Sequence, residues 1–239
     1  MIILQVILLR LGGGFLMRVV IFANGELILP VEVRPDDLLI AADGGARHCL
    51  DLVIEPHIVI GDFDSLEENE LAALEKAGAE IVRYPSRKDY TDLELAFLVA
   101  KERGASEVLI LAALGARWDQ TVANLLLPAA SSRAGMQVRL VDGAQEISFL
   151  HSQPGGDGIA YLELHGQPGD IVSLIPVGGE AGGITTWNLE YPLDDEALYF
   201  GSTRGISNVL TKPDGRVSLR SGVLLVVVIH GIKEASHEK

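Results

Sequence analysis

Two aspartates one residue apart, Asp62 and Asp64 in the run Gly61-Asp62-Phe63-Asp64-Ser65, are the residues of this chain best placed to do chemistry. They follow a short apolar run, residues 57–60, and precede a segment, residues 66–77, that reads as helix. Alternate side chains of an extended chain point the same way. An extended backbone through Asp64 would therefore aim both carboxylates at one point. Two anions held so close repel unless a cation lies between them or one takes up a proton. Hard oxygen ligands at this spacing suit Mg²⁺, above all a Mg²⁺ carried in on substrate phosphates. The plainer reading is a solvated Asp-x-Asp turn whose Ser65 caps the next helix.

Three more runs resemble the first in kind. In Ala42-Asp43-Gly44-Gly45-Ala46 the two glycines would let backbone approach a phosphate closely, with the free N–H groups of a helix start behind them. A bare strand-to-helix turn explains them equally well. In Lys88-Asp89-Tyr90-Thr91-Asp92, Asp89 can cap a helix and Asp92 can sit in its first turn. The chemical alternative gives Asp92, and with it Asp89, to a metal and Lys88 to a phosphate. In Gly115-Ala116-Arg117-Trp118-Asp119-Gln120, Arg117 can fork onto phosphate oxygens or pair with a surface acid, and Asp119 can serve as an N-cap.

The elements that must position these runs alternate. Strand-like segments at 19–22, 38–42, 57–60, 79–84, 107–112 and 137–141 are interleaved with helix-like segments at 46–52, 66–77, 91–103 and 119–131. Near-continuous Val/Ile/Leu strands separated by helices predict an α/β domain, a mostly parallel sheet with helices on both faces. Ligands of such sheets bind outside the carboxyl ends of the strands. Each of the four runs follows a predicted strand, so all four are expected on one edge. Past His151 the character changes. A turn-rich stretch at 152–158 precedes short β-rich runs with no convincing helix, and Lys212-Pro213-Asp214-Gly215 reads as a hairpin turn. This predicts an all-β sandwich or barrel-like domain over 159–232 after an α/β domain over 17–150. Residues 1–16 are apolar, too short to span a bilayer and interrupted by Arg10, and they read as an extension upstream of a natural start at Met17.

A net charge of −14 argues against a nucleic-acid binder held by phosphate contacts and against docking on an anionic membrane. It does not exclude a nucleotide met by a local cluster of Lys, Arg and Mg²⁺. The single cysteine, Cys49, excludes an intrachain disulfide and a Cys-rich zinc site, and fits a cytoplasmic protein. There is no Gly-x-x-x-x-Gly-Lys-Ser/Thr loop, no G-x-G-x-x-G after the first strand and no G-x-S-x-G elbow.

Taken in order, DGGA, GDFDS, KDYTD and GARWDQ resemble the motifs of the thiamine pyrophosphokinase family. The likeness continues in Gly169-Asp170-Ile171-Val172-Ser173-Leu174-Ile175-Pro176, in Leu189-Glu190-Tyr191-Pro192-Leu193 and in Gly205-Ile206-Ser207-Asn208, so it covers nearly the whole chain. Two places depart from the family pattern: Ala116 and Gln120 replace Gly and His in the fourth motif, and Trp187 stands where the family tends toward Gly. The resemblance implies transfer of pyrophosphate from ATP to the hydroxyl of thiamine, giving thiamine diphosphate and AMP. It implies Mg²⁺ on Asp62, Asp64 and Asp92, with Asp43 and Asp89 as outer or second-metal candidates. Lys88 and Arg117 would neutralise phosphate, and Asp64 or Asp92 would accept the hydroxyl proton. ATP would meet Asn24, Asp43, Gly44, Gly45, Lys88, Asp89, Thr91, Arg117 and Asp119. Thiamine would meet Gln120, Tyr191, Ser207 and Asn208. A homodimer with the site between chains is implied as well. Two competing readings are another Mg²⁺-dependent diphosphotransferase, for example one acting on a pterin alcohol, and a non-catalytic nucleotide- or thiamine-diphosphate-binding regulator.

Overall fold

The computed structural model describes residues 17–31, 33–115, 117–131, 136–152 and 158–231. The expected upstream extension, 1–16, lies outside them, as does Ala116. The chain divides into two compact units, the first drawn from Met1–Leu127 and Gly135–Gly143, the second from Pro128–Ala134 and Ala144–Lys239.

The first unit is an α/β layer structure. Its strands are β1 (Arg18–Phe22), β2 (Leu38–Ala42), β3 (Ile58–Gly61), β4 (Glu80–Arg83), β5 (Glu107–Leu111) and β6 (Gln137–Asp142), and its helices are α1 (Gly45–Asp51), α2 (Glu68–Ala77), α3 (Asp92–Glu102) and α4 (Trp118–Ser131), which runs on past Leu127. The strands lie side by side in the order β4-β3-β2-β1-β5-β6, every pair parallel. Every residue of β1 is buried, as an apolar run at the centre of a doubly covered sheet requires. One face carries Val20, Phe22, Leu39, Ala41 and Val59, which form a single cluster with Ala46 and Cys49 of α1 and Leu74 of α2. Helix α3 lies against the same three strands but adds none of its buried side chains to that cluster. It covers the opposite face, where alternation puts Val19, Ile21, Ile40 and Ile58.

Strand order reverses at β1, which has β2 on one side and β5 on the other. Beyond their ends the two neighbouring loops stay joined: the amides of Ala23, Gly25 and Glu26 donate to the carbonyls of Leu111, Ala112 and Leu114. A side chain at Gly25 would overlap two of those carbonyls, so the close approach needs glycine. This reversal is where an open α/β sheet opens a crevice.

The second unit is all β. Strands β7 (Gln145–Ser152), β9 (Ile171–Pro176), β14 (Gly222–Ile229) and β12 (Asn208–Val209) pair antiparallel in the order β12-β9-β14-β7. A four-stranded sheet runs β11 (Glu196–Leu198), β10 (Ala181–Trp187), β13 (Asp214–Leu219), β8 (Ala160–His165). Leu150, Val172, Leu174, Leu224 and Val226 of the first group share one core with Leu164, Ile184, Leu198, Val217 and Leu219 of the second. That is a sandwich. The turn at Lys212-Pro213 does not close a hairpin, because β12 pairs with β9 while β13 pairs with β8 and β10. It carries the chain from one sheet to the other. The expected boundary near His151 falls at the end of β7, a strand of the second unit.

Candidate active site

A cleft of about 740 Å³ opens in the first unit at the switch point. All four motif loops reach it. From the residues expected to act, it is lined by Asn24, Asp43, Asp62, Asp64, Lys88, Thr91, Asp92, Arg117 and Gln120.

The GDFDS carboxylates converge by a route the extended-chain argument did not foresee. Phe63 has φ 65°, a left-handed conformation, and the Asp64 amide donates to Asp62 Oδ1 at 3.2 Å. The backbone therefore turns at Phe63. The turn is held from behind, where the Phe63 ring is buried, Arg83 lies 4.8 Å over its centre, and the Arg83 guanidinium donates to the Asp62 carbonyl. Ser65 does not cap α2. Glu67 is the N-cap and forms a reciprocal box with Glu70, which leaves the Ser65 hydroxyl free to donate to Asp43 Oδ2 at 2.6 Å.

Asp43 joins the pair. It too is left-handed, φ 46°, and its amide donates to the Ile60 carbonyl at the end of β3. Non-glycine residues adopt this conformation rarely and at a cost, so the surrounding contacts must hold it. One oxygen each from Asp43, Asp62 and Asp64 lies within 4.8 Å of the others, close enough to share one metal ion. Asp43 is 5 % exposed, and its Oδ1 is buried without a hydrogen-bond partner. A buried carboxylate oxygen left unpaired costs free energy unless something positive reaches it. The donor set is all oxygen and all anionic, which fits a hard divalent cation such as Mg²⁺.

Asp92, expected as the third metal ligand, lines the same cleft and is engaged by Lys88. It stands at the start of α3, where Thr91 is the cap and accepts the Glu94 amide at 3.1 Å. Its Oδ1 faces Lys88 Nζ at 2.9 Å, and the same ammonium lies 3.7 Å from Asp62 Oδ2. Burial raises the Asp92 pKa, the negative charges of Asp43 and Asp62 add to the rise, and Lys88 offsets it only in part. Burial works against the Lys88 charge, but Asp92, Asp62 and Asp43 together outweigh it and raise the Lys88 pKa. The Asp62 carboxyl is held below the usual range, chiefly by the Asp64 amide; burial opposes this, and Ser86 and Lys88 add smaller downward effects.

Other expected residues lie elsewhere. Gly44 and Gly45 do not line the cleft, and protein fills the space their missing side chains leave. A Cβ at Gly44 would overlap the Asn24 amide, and one at Gly45 the Phe22 carbonyl. Asp89 and Asp119 are exposed and outside the lining. Arg117 lines the cleft but forks onto its neighbour Asp119 at 3.2 and 2.6 Å, which raises the Arg117 pKa and lowers that of Asp119. Two residues of α4 that the sequence did not single out fix this loop from below: Thr121 Oγ1 bonds both the amide and the carbonyl of Gly115, and Asn124 donates to the Ala113 carbonyl at 2.7 Å. Their signal was a polar pair three residues apart in the first turns of a helix otherwise rich in Leu and Ala.

In the second unit the two late motifs lie side by side. The Glu190 amide donates to the Val209 carbonyl, and Leu189 bridges Leu210. Tyr191 is 64 % exposed. The Asn208 side chain is committed to backbone: its Oδ1 accepts the amides of Tyr191 and Val209 at 3.0 and 2.9 Å, and its Nδ2 donates to the Tyr191 carbonyl at 2.7 Å. It holds the Tyr191 turn and has little left to offer a ligand. Ser207 is left-handed, φ 60°, with its amide bound by Ser173 Oγ, and its exposed hydroxyl is free to bond.

The first unit is thus an α/β domain with an acidic, cation-ready cleft at its switch point. Comparison with known proteins narrows the class. Residues 32–140 match the model of the thiamin pyrophosphokinase catalytic domain, and residues 161–224 match that of the thiamin pyrophosphokinase vitamin B1 binding domain. A thiamine pyrophosphokinase of Bacillus subtilis (strain 168) is 32 % identical over 190 residues, covering 80 % of this chain and 86 % of its own. A crystal structure of thiamine pyrophosphokinase from Bacillus subtilis superposes with a TM-score of 0.79 at 28 % identity, covering 90 % of this chain and 100 % of that one. The yeast enzyme, 16 % identical with a TM-score of 0.69 over 91 % of this chain and 87 % of its own, shares the fold. The chain belongs to the thiamine pyrophosphokinase family.

Proposed function

We propose that this protein is an ATP-dependent thiamine diphosphokinase, and that the convergence of Asp43, Asp62 and Asp64 beside Lys88 carries the reading. The thiamine hydroxyl oxygen bonds to the β-phosphorus of ATP, the bond from that phosphorus to the oxygen bridging to the α-phosphate breaks, and AMP leaves with the electron pair. Reactions of this kind depend on positioning and on neutralising spread-out negative charge. Asp43, Asp62 and Asp64 would hold Mg²⁺, which when bound neutralises phosphate oxygens and lets a tetraanion enter an acidic cleft. Lys88 and Arg117 give their charges to the same oxygens, each leaving the carboxylate it now pairs with. That exchange leaves Asp92 free, partly buried and with a raised pKa, to accept the hydroxyl proton. Asp64, exposed on the same turn, is the other candidate.

Thiamine is a flat cation. The exposed Tyr191 ring suits it, with Ser207 as a bonding partner and Asn208 as the residue that positions Tyr191. Gln120 on the first unit's cleft adds a polar contact. The vitamin B1 binding domain match favours thiamine over a pterin alcohol as acceptor, and the intact acid set favours an enzyme over a non-catalytic regulator. We propose a cytoplasmic homodimer with the site completed between chains. Among the described residues no helix is long and apolar enough to cross a membrane. A mass by light scattering that stays monomeric at every concentration would reject the dimer.

The decisive assay incubates the protein with ATP, Mg²⁺ and thiamine and follows both products. AMP and thiamine diphosphate in equal amounts are expected, whereas ADP would reject the mechanism. Asp62→Asn and Asp64→Asn should each abolish turnover while leaving the circular dichroism spectrum unchanged. Full activity in both would reject the carboxylate assignment.

A further inference from the structure

We infer that Ser65, acting with Asn24, is a positioning residue that holds Asp43 in place beside Asp62 and Asp64 for a shared cation. This rests on the reading of Asp43, Asp62 and Asp64 as cation ligands. Asp43 has two oxygens in unlike surroundings. Oδ2 accepts the Ser65 hydroxyl at 2.6 Å and the Asn24 amide at 3.2 Å. Oδ1 is buried and has no hydrogen-bond partner. A carboxylate with both donors on one oxygen cannot rotate without breaking them, so the other oxygen stays aimed where it is. The hydroxyl has a single proton. It goes to the nearer acceptor, Asp43, and leaves Asp64 Oδ1, 3.2 Å away, without this donor and open to a cation. The Asn24 amide lies 3.4 Å from Ser65 Oγ as well as near Asp43, so amide, hydroxyl and carboxylate form one chain. Such charge-assisted bonds are short and directional.

The same device explains Gly44. A side chain there would overlap the Asn24 amide, so the glycine keeps Asn24 on Asp43. The left-handed backbone of Asp43 is itself costly, and the Ser65 and Asn24 bonds help to hold it. Ser65 therefore does its work across the β2 and β3 loops, and not at the start of α2.

The test titrates Mn²⁺ into metal-free protein and reads free ion by electron paramagnetic resonance. Partners that orient a metal ligand set affinity by about 10–100-fold. Ser65→Ala is expected to weaken Mn²⁺ binding at least about tenfold, with Ser65→Thr, which keeps a hydroxyl, restoring it to within about threefold. Gly44→Ala, which displaces Asn24, should weaken binding in the same direction. In turnover, Ser65→Ala should raise the Mg²⁺ concentration needed for half-maximal rate and recover most of its kcat at saturating Mg²⁺. Wild-type binding with Ser65→Ala unchanged overturns the inference and leaves the cation reading standing. Absence of Mn²⁺ binding in the wild type overturns both. Should Ser65→Ala fail to fold, Ser65→Cys, similar in size and a weak donor, takes its place with the same expected loss.

Discussion

Lys88 does in the metal-free protein what a cation would do in the loaded one, and removing its charge exposes how much the cleft depends on that. Its ammonium lies 2.9 Å from Asp92 Oδ1 and 3.7 Å from Asp62 Oδ2, with a side chain 11 % exposed against 26 % and 14 % for its partners. At an effective dielectric near 20, each pair at such a separation attracts by roughly 4–6 kcal/mol before desolvation is charged against it. Exposed pairs retain less than about 1 kcal/mol after that charge, and breaking fully buried ones costs about 3–5 kcal/mol. This pair sits between those limits. Lys88→Met should therefore destabilise the metal-free protein by about 1–3 kcal/mol at neutral pH, a fall in Tm of about 2–12 °C for a chain of this size.

The loss comes from carboxylates left facing one another, and two conditions should undo it. Saturating Mg²⁺ or Mn²⁺ supplies the missing charge, so Lys88→Met should gain more in Tm from the ion than the wild type does. Acid does the same by another route. Asp92 already has a raised pKa, so its favourable contribution is full below the ordinary carboxylate range and is lost as pH rises through the raised value. Without Lys88 that value rises further, and the gap between variant and wild type should narrow as pH falls through it. Thermal unfolding followed by circular dichroism, with and without divalent ion and across pH, measures all three effects. A Lys88→Met protein as stable as the wild type without metal, or one that the ion rescues no more than the wild type, would refute the idea that Lys88 stands in for a cation.

Two further outcomes concern the second unit. Asp170 is buried and accepts the amides of Gln167 and Gly231 and a bond from His230 Nδ1; burial would raise its pKa, but these partners outweigh it and hold it below the usual range. Its stabilising effect is present above the ordinary carboxylate value and is lost as pH falls through the lowered one, so Asp170→Asn should cost about 2 kcal/mol at pH 7 and progressively less in acid below that range, as read by urea unfolding. Asn208→Ala strips the Tyr191 turn of its side-chain partners and should cost about 1–3 kcal/mol while raising KM for thiamine more than it lowers kcat; an unchanged KM would place Tyr191 outside the thiamine site.

The α/β unit was legible because its signal is local. Runs such as Val19-Val20-Ile21-Phe22 are buried on both faces, and the helices between them are bounded by residues of known habit, Thr91 before α3 and Gly78 after α2. Strand ends moved by a residue or two. Helical spacing puts Val122, Leu125 and Leu126 of α4 on one apolar side, yet Leu125 is only partly buried and Val122 and Leu126 are 50 % and 49 % exposed, because spacing reveals which residues share a side but not whether anything covers it. In the second unit the β-rich stretch 205–211 is not one continuous strand: Asn208 and Val209 pair with β9 and Leu210 bridges Leu189, while Gly205 is pressed against the Leu174 carbonyl and Ser207 is left-handed. Strand β11, Glu-Ala-Leu, has no β-like composition and is set by its partner β10.

The site was legible in its residues and not in its geometry, for a physical reason. Period-two alternation placed Asp62 and Asp64 together only if the chain stayed extended, and at Phe63 it does not. The carboxylates still meet, because a left-handed turn fixed by Arg83 and by the Asp64 amide brings them round. Asp43 is drawn in by bonds from residues 19 positions before it and 22 after it, a separation no local pattern records. Asp92 pairs with Lys88, four residues earlier on the same loop, through an ion pair that any helix start with this spacing could form. One ammonium and one hydroxyl thus divide the acids of the cleft between them. Ser65 gives its proton to Asp43, and Lys88 gives its charge chiefly to Asp92.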